Sequence, residues 1–315
     1  MIIGVDIGGT KIAVAGFVAD DSARLRMSTD VRTAATPSAA GGVAVVRVVS
    51  ELIAGLSDAS QITAIGVGTA GVVGSDGTIS SATDAIAGWV GFRLRAALAD
   101  AVTGSSGVEI RVAVVNDVHA AAVAEARVGA AAGRDGILMV AVGTGIGGAV
   151  VFADGLRRGA TGTAGSLGHV EVAMPDSLAA RRCPCGGHAH VEAVASGPAM
   201  EQTYLERTGV RASLREIDAL AQSGDAVAAL VIEEGARFLG RALASANALL
   251  DVDTIVIGGG VAEIGARYLA AVEASYRAAA MPGPSRARIV PAGLAVNATL
   301  TGAAILARQQ MSESR

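Results

Sequence analysis

The chain has 315 residues, 51% of them hydrophobic, so it can bury substantial cores, and its length suggests about two domains. It sets 25 Lys and Arg against 29 Asp and Glu, a net charge of −4, which excludes the broad basic surface that nucleic acid or an anionic membrane selects. Aromatic residues at 3% leave few platforms for base stacking, and the 42 glycines punctuate β-rich segments instead of forming a low-complexity tract, so they read as loops and close packing.

The chain opens on β-formers at Ile2, Ile3, Val5 and Ile7, turns through Gly8, Gly9, Thr10 and Lys11, and resumes an apolar run at Ile12. This reads as strand, glycine turn, strand, with Asp6 at the turn. Glycine lets backbone N–H groups approach a phosphate without Cβ obstruction, Thr10 and Lys11 add a hydroxyl and a positive charge, and Asp6 can hold Mg²⁺ through water. An ordinary tight hairpin has the same pattern. Aspartate and glycine interrupt the first apolar stretch, so no secretory signal is expected and the location predicted is cytoplasmic. Apolar runs such as 112–115 and 137–142 are too short to span a bilayer.

Residues 63–68 read as a strand, 71–91 as turn-rich, and 112–115 as a strand running into Asn116, Asp117 and an alanine-rich helix over 118–128. A second strand, glycine turn and strand follows at 137–152. It repeats the opening layout, which argues for duplicated lobes whose hairpins face each other across a cleft. A turn at 153–155 and a glycine-containing loop at 159–168 come next, then helices over 200–207, 214–221 and 226–250. A strand at 254–257 ends in Gly258, Gly259 and Gly260, a helix runs over 263–280, an edge-like segment over 288–291, and a last helix over 301–310. Strands alternating with helices predict an α/β architecture.

The second turn, with Gly143, Thr144, Gly145, Gly147 and Gly148, lacks the lysine and hydroxyl pair of a P-loop and does not open a helix as a dinucleotide fingerprint does. What remains is a paired-hairpin phosphate clamp, with the glycines at 258–260 as a third site of close approach for a nucleotide. Asp117, where a strand meets a helix, is the candidate general base for phosphoryl transfer, with Asn116 beside it to bind a hydroxyl-rich substrate. Aspartate is also a preferred helix cap. Both cysteines and three of the four histidines fall at His169, Cys183, Cys185, His188 and His190. Cys183 and Cys185 can present two thiolates from one turn, and His169 with either His188 or His190 completes a tetrahedral zinc set.

These motifs, in this order and over nearly the whole chain, resemble the ROK family of bacterial sugar kinases and sugar-responsive repressors. The resemblance implies the two-lobed actin-like (ribonuclease-H-like) ATPase fold, with the active site in the interlobe cleft and ATP, Mg²⁺ and structural Zn²⁺ as cofactors. It divides the chain into a small lobe over 1–117, completed by a helix over 298–315, and a larger lobe over 118–297 that carries the zinc site. By the same resemblance Asp117 is the catalytic base, Asn116 its sugar-binding neighbour, and Glu192 a second carboxylate for sugar hydroxyls. His169 both ligates zinc and lies beside the sugar, and the implied assembly is a homodimer.

Three positions depart from the family pattern. Its third zinc cysteine is His190 here, which makes the expected set Cys183, Cys185, His169 and His190. Its Glu-Xaa-Gly-His segment reads Ser166, Leu167, Gly168, His169, so a hydroxyl replaces a sugar-binding carboxylate. Where the family often places a sugar-touching asparagine, this chain offers Asp84, with Gly88 and Trp89 supporting the register. The expectation is an ATP-dependent hexose kinase of the glucokinase type, acting on O6. The alternatives are an N-acetylmannosamine or other hexose kinase, or a noncatalytic sugar sensor. A repressor carries a helix-turn-helix module before the first hairpin, and here the first strand already begins at Ile2, so no nucleic-acid partner is expected.

Overall fold

The computed structural model describes residues 1–21, 24–56, 61–106 and 110–313. The chain divides into two compact units: Met1–Gly129 with Arg158–Ala164 and the segment from Val296, and Ala130–Arg157 with Gly165–Ala295.

The first unit is built on strands β1 (Ile2–Ile7), β2 (Lys11–Ala19), β3 (Leu25–Met27), β4 (Arg32–Ala35), β5 (Ala64–Thr69) and β8 (Arg111–Asn116), with a separate short pair β6 (Val72–Val73) and β7 (Ile79–Ser81). Their order is β3-β2-β1-β5-β8, with β4 also on β2. β1 and β2 form an antiparallel hairpin in which Ile7 faces Ile12, whereas β1, β5 and β8 run parallel. Strands covered on both faces need apolar side chains throughout, which is why β1, β5 and β8 read as near-continuous hydrophobic runs.

On one face lie helices α1 (Gly41–Ala54) and α2 (Leu94–Ser106), which bring Val45, Val49, Leu94 and Leu98 against Ile3, Val5 and Ile65. On the other lies the C-terminal helix Ala298–Glu313, where Leu300, Ala304 and Ala307 meet Ile2, Ala13 and Phe17. That helix sits so close that a Cβ on Gly66 would lie 1.9 Å from Ala303 O, and one on Gly4 2.3 Å from Leu300 O. Strand glycines here are a packing requirement. Helix α3 (Asp117–Arg127) belongs to the same unit, because it packs on the C-terminal helix with Gly302 against Ala120 O. The division therefore falls after Gly129 and not after Asp117, and residues 158–164 join this unit as well. Residues 314 and 315 of the expected closing helix lie outside the described residues.

Neither α1 nor α2 is among the elements predicted from sequence. The α1 segment starts on two glycines and holds five valines, which favour strands, yet burial of Val45, Val46, Val49 and Ile53 at helical spacing makes it a helix.

The second unit repeats the pattern. Strands β9 (Gly136–Val142), β10 (Ile146–Phe152), β11 (Gly155–Arg157), β12 (Thr254–Gly258) and β13 (Arg288–Pro291) are ordered β11-β10-β9-β12-β13, the first three antiparallel and the last three parallel. Each unit thus has a hairpin whose first strand continues into two parallel strands. Helices α4 (Asp176–Ala179), α5 (Glu192–Ala195), α6 (Gly197–Thr208), α7 (Leu214–Gln222), α8 (Ala226–Leu250) and α9 (Ala266–Ala279) supply the rest. The helix expected from residue 263 starts later: Ala262–Ile264 is a 3₁₀ turn and Gly265, at φ +110°, breaks the chain before α9. No helix among the described residues is long and apolar enough to cross a membrane.

Candidate active site

In the first hairpin the turn carbonyls are held from behind. Thr36 Oγ1 donates to Gly8 O at 2.7 Å and Ser38 Oγ to Gly9 O at 2.5 Å. In a trans peptide the N–H points opposite the C=O. The N–H groups of Gly9 and Thr10 are thereby turned away from Thr36 and Ser38, at a tip where Thr10 and Lys11 are exposed. Gly9 also lies under the loop that carries Asp84, since a Cβ there would be 3.0 Å from Ala85 Cβ. Asp84 itself is exposed. Thr36 and Ser38 were not anticipated. Only the hydroxyl pair flanking Pro37, directly after β4, signals them.

Asp6, at the end of β1, has its carboxyl raised to about 7, first by burial and then by the nearby Asp117 charge, with Lys11 opposing. Asp117 stands one residue beyond β8 as the first residue of α3. Burial raises its carboxyl too, while hydrogen bonds from Val118 and Asn116 hold it back. The cap of α3 is Asn116, not Asp117: Asn116 Oδ1 accepts from Val118 N and His119 N. The Asn116 amide donates to Asp117 Oδ1 at 2.8 Å and to Gly71 O at 3.1 Å, so its polar atoms all engage protein groups. His119, also unanticipated, is buried with Nε2 3.2 Å from Ala164 O. Burial lowers its pKa, which keeps the ring neutral and requires the proton on Nε2. This bond fastens the segment 158–164 onto α3 within the first unit.

In the second unit the hairpin tip is Gly143, Thr144 and Gly145, between Val142 and its cross-strand neighbour Ile146. Gly143 O accepts from Gly197 N at 2.9 Å, which turns the Thr144 N–H the other way. Gly147 and Gly148 lie within β10 instead of at the tip, and Gly148 is a glycine because Gly165 O would meet its Cβ at 2.2 Å. Gly258 closes β12, and Gly259, at φ +86°, would bring a Cβ 2.4 Å from Val142 O. A cavity of about 470 Å³ is bounded by Gly143, Thr144, Gly260, the α6 residues Gly197 and Pro198, and Arg215 of α7. The second and third glycine sites therefore line one cavity, at a helix N-terminus suited to phosphate.

His169 ends a 3₁₀ turn that begins after Ser166. Its ligand atom and those of Cys183, Cys185 and His190 all lie within 4.8 Å of one another. Cys183 Sγ is 3.5 Å from His169 Nδ1, and Cys185 Sγ is 3.3 Å from His190 Nδ1. A tetrahedron with Zn–S of about 2.3 Å and Zn–N of about 2.0 Å has S···N edges of about 3.5 Å, so this donor set fits zinc. His188 is not in the group; it pairs by backbone with Arg182. The turn is shaped around His190, because a Cβ on Gly187 would lie 2.5 Å from its ring. Burial pushes the Cys183 thiol up to about 12. Glu192, 9% exposed at the start of α5, touches both this group and the hairpin: Cys183 Sγ donates to Oε1 at 3.3 Å and Ile146 N to Oε2 at 2.7 Å.

The profile of the ROK family matches residues 2–310. The glucokinase of Streptomyces coelicolor is 32% identical over 98% of this chain and 98% of its own. Among solved structures, a ROK hexokinase from Thermus thermophilus superimposes with a TM-score of 0.86 at 32% identity, covering 99% of both chains. A ROK family glucokinase from Streptomyces griseus, in complex with glucose and AMPPNP, has a TM-score of 0.77 at 34% identity, covering 98% of this chain and 99% of that one. The mixed α/β architecture described above is their two-lobed, actin-like ATPase fold.

Proposed function

Because the chain belongs to the ROK family, we propose that it is an ATP-dependent sugar kinase of the glucokinase type, transferring the γ-phosphoryl group to a hexose hydroxyl, O6. The observation that carries this reading is Asp117: a carboxylate at the head of a helix, oriented by the Asn116 amide and made more basic by burial. A general base for this reaction needs a fixed position and a raised pKa.

Asp117 takes the proton from the sugar hydroxyl as its oxygen attacks the γ-phosphorus; the bond to the β,γ-bridging oxygen breaks and ADP leaves. The backbone N–H groups of Gly9, Thr10 and Thr144, with Lys11, offset the charge on the transferring phosphates. The cavity beside Gly260 takes the nucleoside. Asp6 would hold Mg²⁺ through water, supplying further charge neutralisation, and the mutual repulsion of Asp6 and Asp117 suits a cation there. His169, Cys183, Cys185 and His190 would hold zinc in a closed four-ligand site, where it supports folding. Ser166, His169, Glu192 and Asp84 are the sugar-side residues, with Asn116 acting on the sugar through Asp117.

A coupled ADP-release assay over glucose, mannose, fructose, allose and N-acetylated hexosamines tests the reading, with Asp117→Asn as the control. Turnover with glucose that disappears in the variant is the expected result. Binding of ATP and sugar without ADP release from any sugar would make the protein a sensor instead.

A further inference from the structure

The tip of the second hairpin is gripped from outside at three atoms. Val142 O accepts from Val261 N at 2.9 Å, Gly143 O accepts from Gly197 N at 2.9 Å, and Ile146 N donates to Glu192 Oε2 at 2.7 Å. Two of these grips are backbone to backbone; the third is a side chain. It is buried, charge-assisted and short, the kind of hydrogen bond that fixes a peptide's orientation. Glu192 is also pressed onto the tip itself, since a Cβ on Gly145 would lie 2.7 Å from Oε2. No residue with a Cβ fits at 145 while Glu192 stays in place.

We propose that Glu192 is a positioning residue for the nucleotide: it holds the Gly145–Ile146 peptide, and through it the Thr144 N–H, in the orientation that receives phosphate. This rests on reading the second hairpin as a phosphate loop. One carboxylate then serves two substrates. Oε2 sets the phosphate hairpin, and Oε1, on the Cys183 side, is left to accept from a sugar hydroxyl, because a zinc-bound Cys183 thiolate has no proton to donate. A sugar that draws on Oε1 moves the group that sets the hairpin, so sugar occupancy reaches the nucleotide through one side chain.

The test is nucleotide affinity measured without sugar, by calorimetry with ADP and Mg²⁺, on the full chain loaded with zinc. Glu192→Ala leaves Ile146 N without its acceptor and weakens ADP binding about tenfold or more. Glu192→Gln keeps a carbonyl oxygen able to accept from Ile146 N, so ADP affinity stays within about threefold of wild type while the KM for sugar rises. Amide hydrogen exchange at Ile146 provides a second readout: protected in wild type and Glu192→Gln, faster in Glu192→Ala. Unchanged ADP affinity in Glu192→Ala, or equal losses in the Ala and Gln variants, would overturn the proposal. Should the Ala variant fail to fold, the Gln variant decides: a large loss of ADP affinity or of Ile146 protection there overturns it. A wild-type protein that binds no adenine nucleotide would instead sink the kinase reading itself.

Discussion

The Asn116 side-chain amide donates to Asp117 Oδ1 at 2.8 Å while its carbonyl oxygen caps the helix that Asp117 begins. The proposed base is therefore aimed by its own neighbour. Asp117→Asn should lower kcat/KM by about 10²–10⁴-fold with little change in melting temperature, because a buried carboxylate of raised pKa is replaced by a neutral isostere. Asn116→Ala should lower kcat as well and also cost about 1 kcal/mol of stability through the lost cap. Steady-state kinetics and thermal melts of the two variants separate the roles.

The same burial makes a prediction for pH. As the proposed base, Asp117 would act only when ionised, so kcat/KM should fall as pH drops through its raised pKa, with an acid limb above the ordinary carboxylate range. A limb near pH 4 in the pH–rate profile would contradict it.

Asp6 links pH to stability. Its carboxyl titrates at about 7 in the folded protein and near 3.8 unfolded, so between those values the folded state binds the extra proton. Stability contributed by the protonated group is present below about pH 4 and is lost as pH rises toward 7. Without divalent cations, the protein should lose roughly 2–4 kcal/mol from this group over that window. Asp6→Asn should flatten the dependence and be the more stable protein at pH 8, as urea melts across the range would record.

Metal content discriminates between the two nearby histidines. His190→Ala should lower zinc affinity by at least about 100-fold, more than the loss of an outer-sphere partner costs, whereas His188→Ala should keep about one zinc per chain. Elemental analysis after gel filtration reads both. Removal of zinc with a chelator should lower the melting temperature of wild type and leave that of His190→Ala unchanged.

Thr36 offers a milder variant. Thr36→Val keeps the shape of the side chain but releases Gly8 O, so the first hairpin loses about 1 kcal/mol of orientation and the KM for ATP should rise about fivefold with the sugar KM unchanged.

Both hairpins and the cysteine–histidine cluster were legible because their chemistry is local. Glycines between β-formers announce a turn, and two cysteines with histidines a few residues away announce a metal. Thr36 and Ser38 were not legible because they act on carbonyls 28 and 29 residues earlier in the chain, a relation that only the folded sheet creates. Gly147 and Gly148 looked like part of the tip because composition cannot tell a turn glycine from one that admits the backbone at Gly165. Helix α1 was hidden by its valines, whose local preference is overridden by the apolar stripe they form. Glu192 is marked in the sequence by the family resemblance alone, as a carboxylate for sugar hydroxyls; its bond to Ile146 N, 46 residues away, appears only when β10 and α5 come together.

The C-terminal helix covers Ile2, Ala13 and Phe17 and packs its own carbonyls against Gly4 and Gly66. The strands it covers are synthesised long before it, so one face of the first sheet stays bare until Ala298–Glu313 emerges, and the nascent chain depends on being shielded over that interval. Truncation before Ala298 should then leave not a trimmed enzyme but an aggregating one.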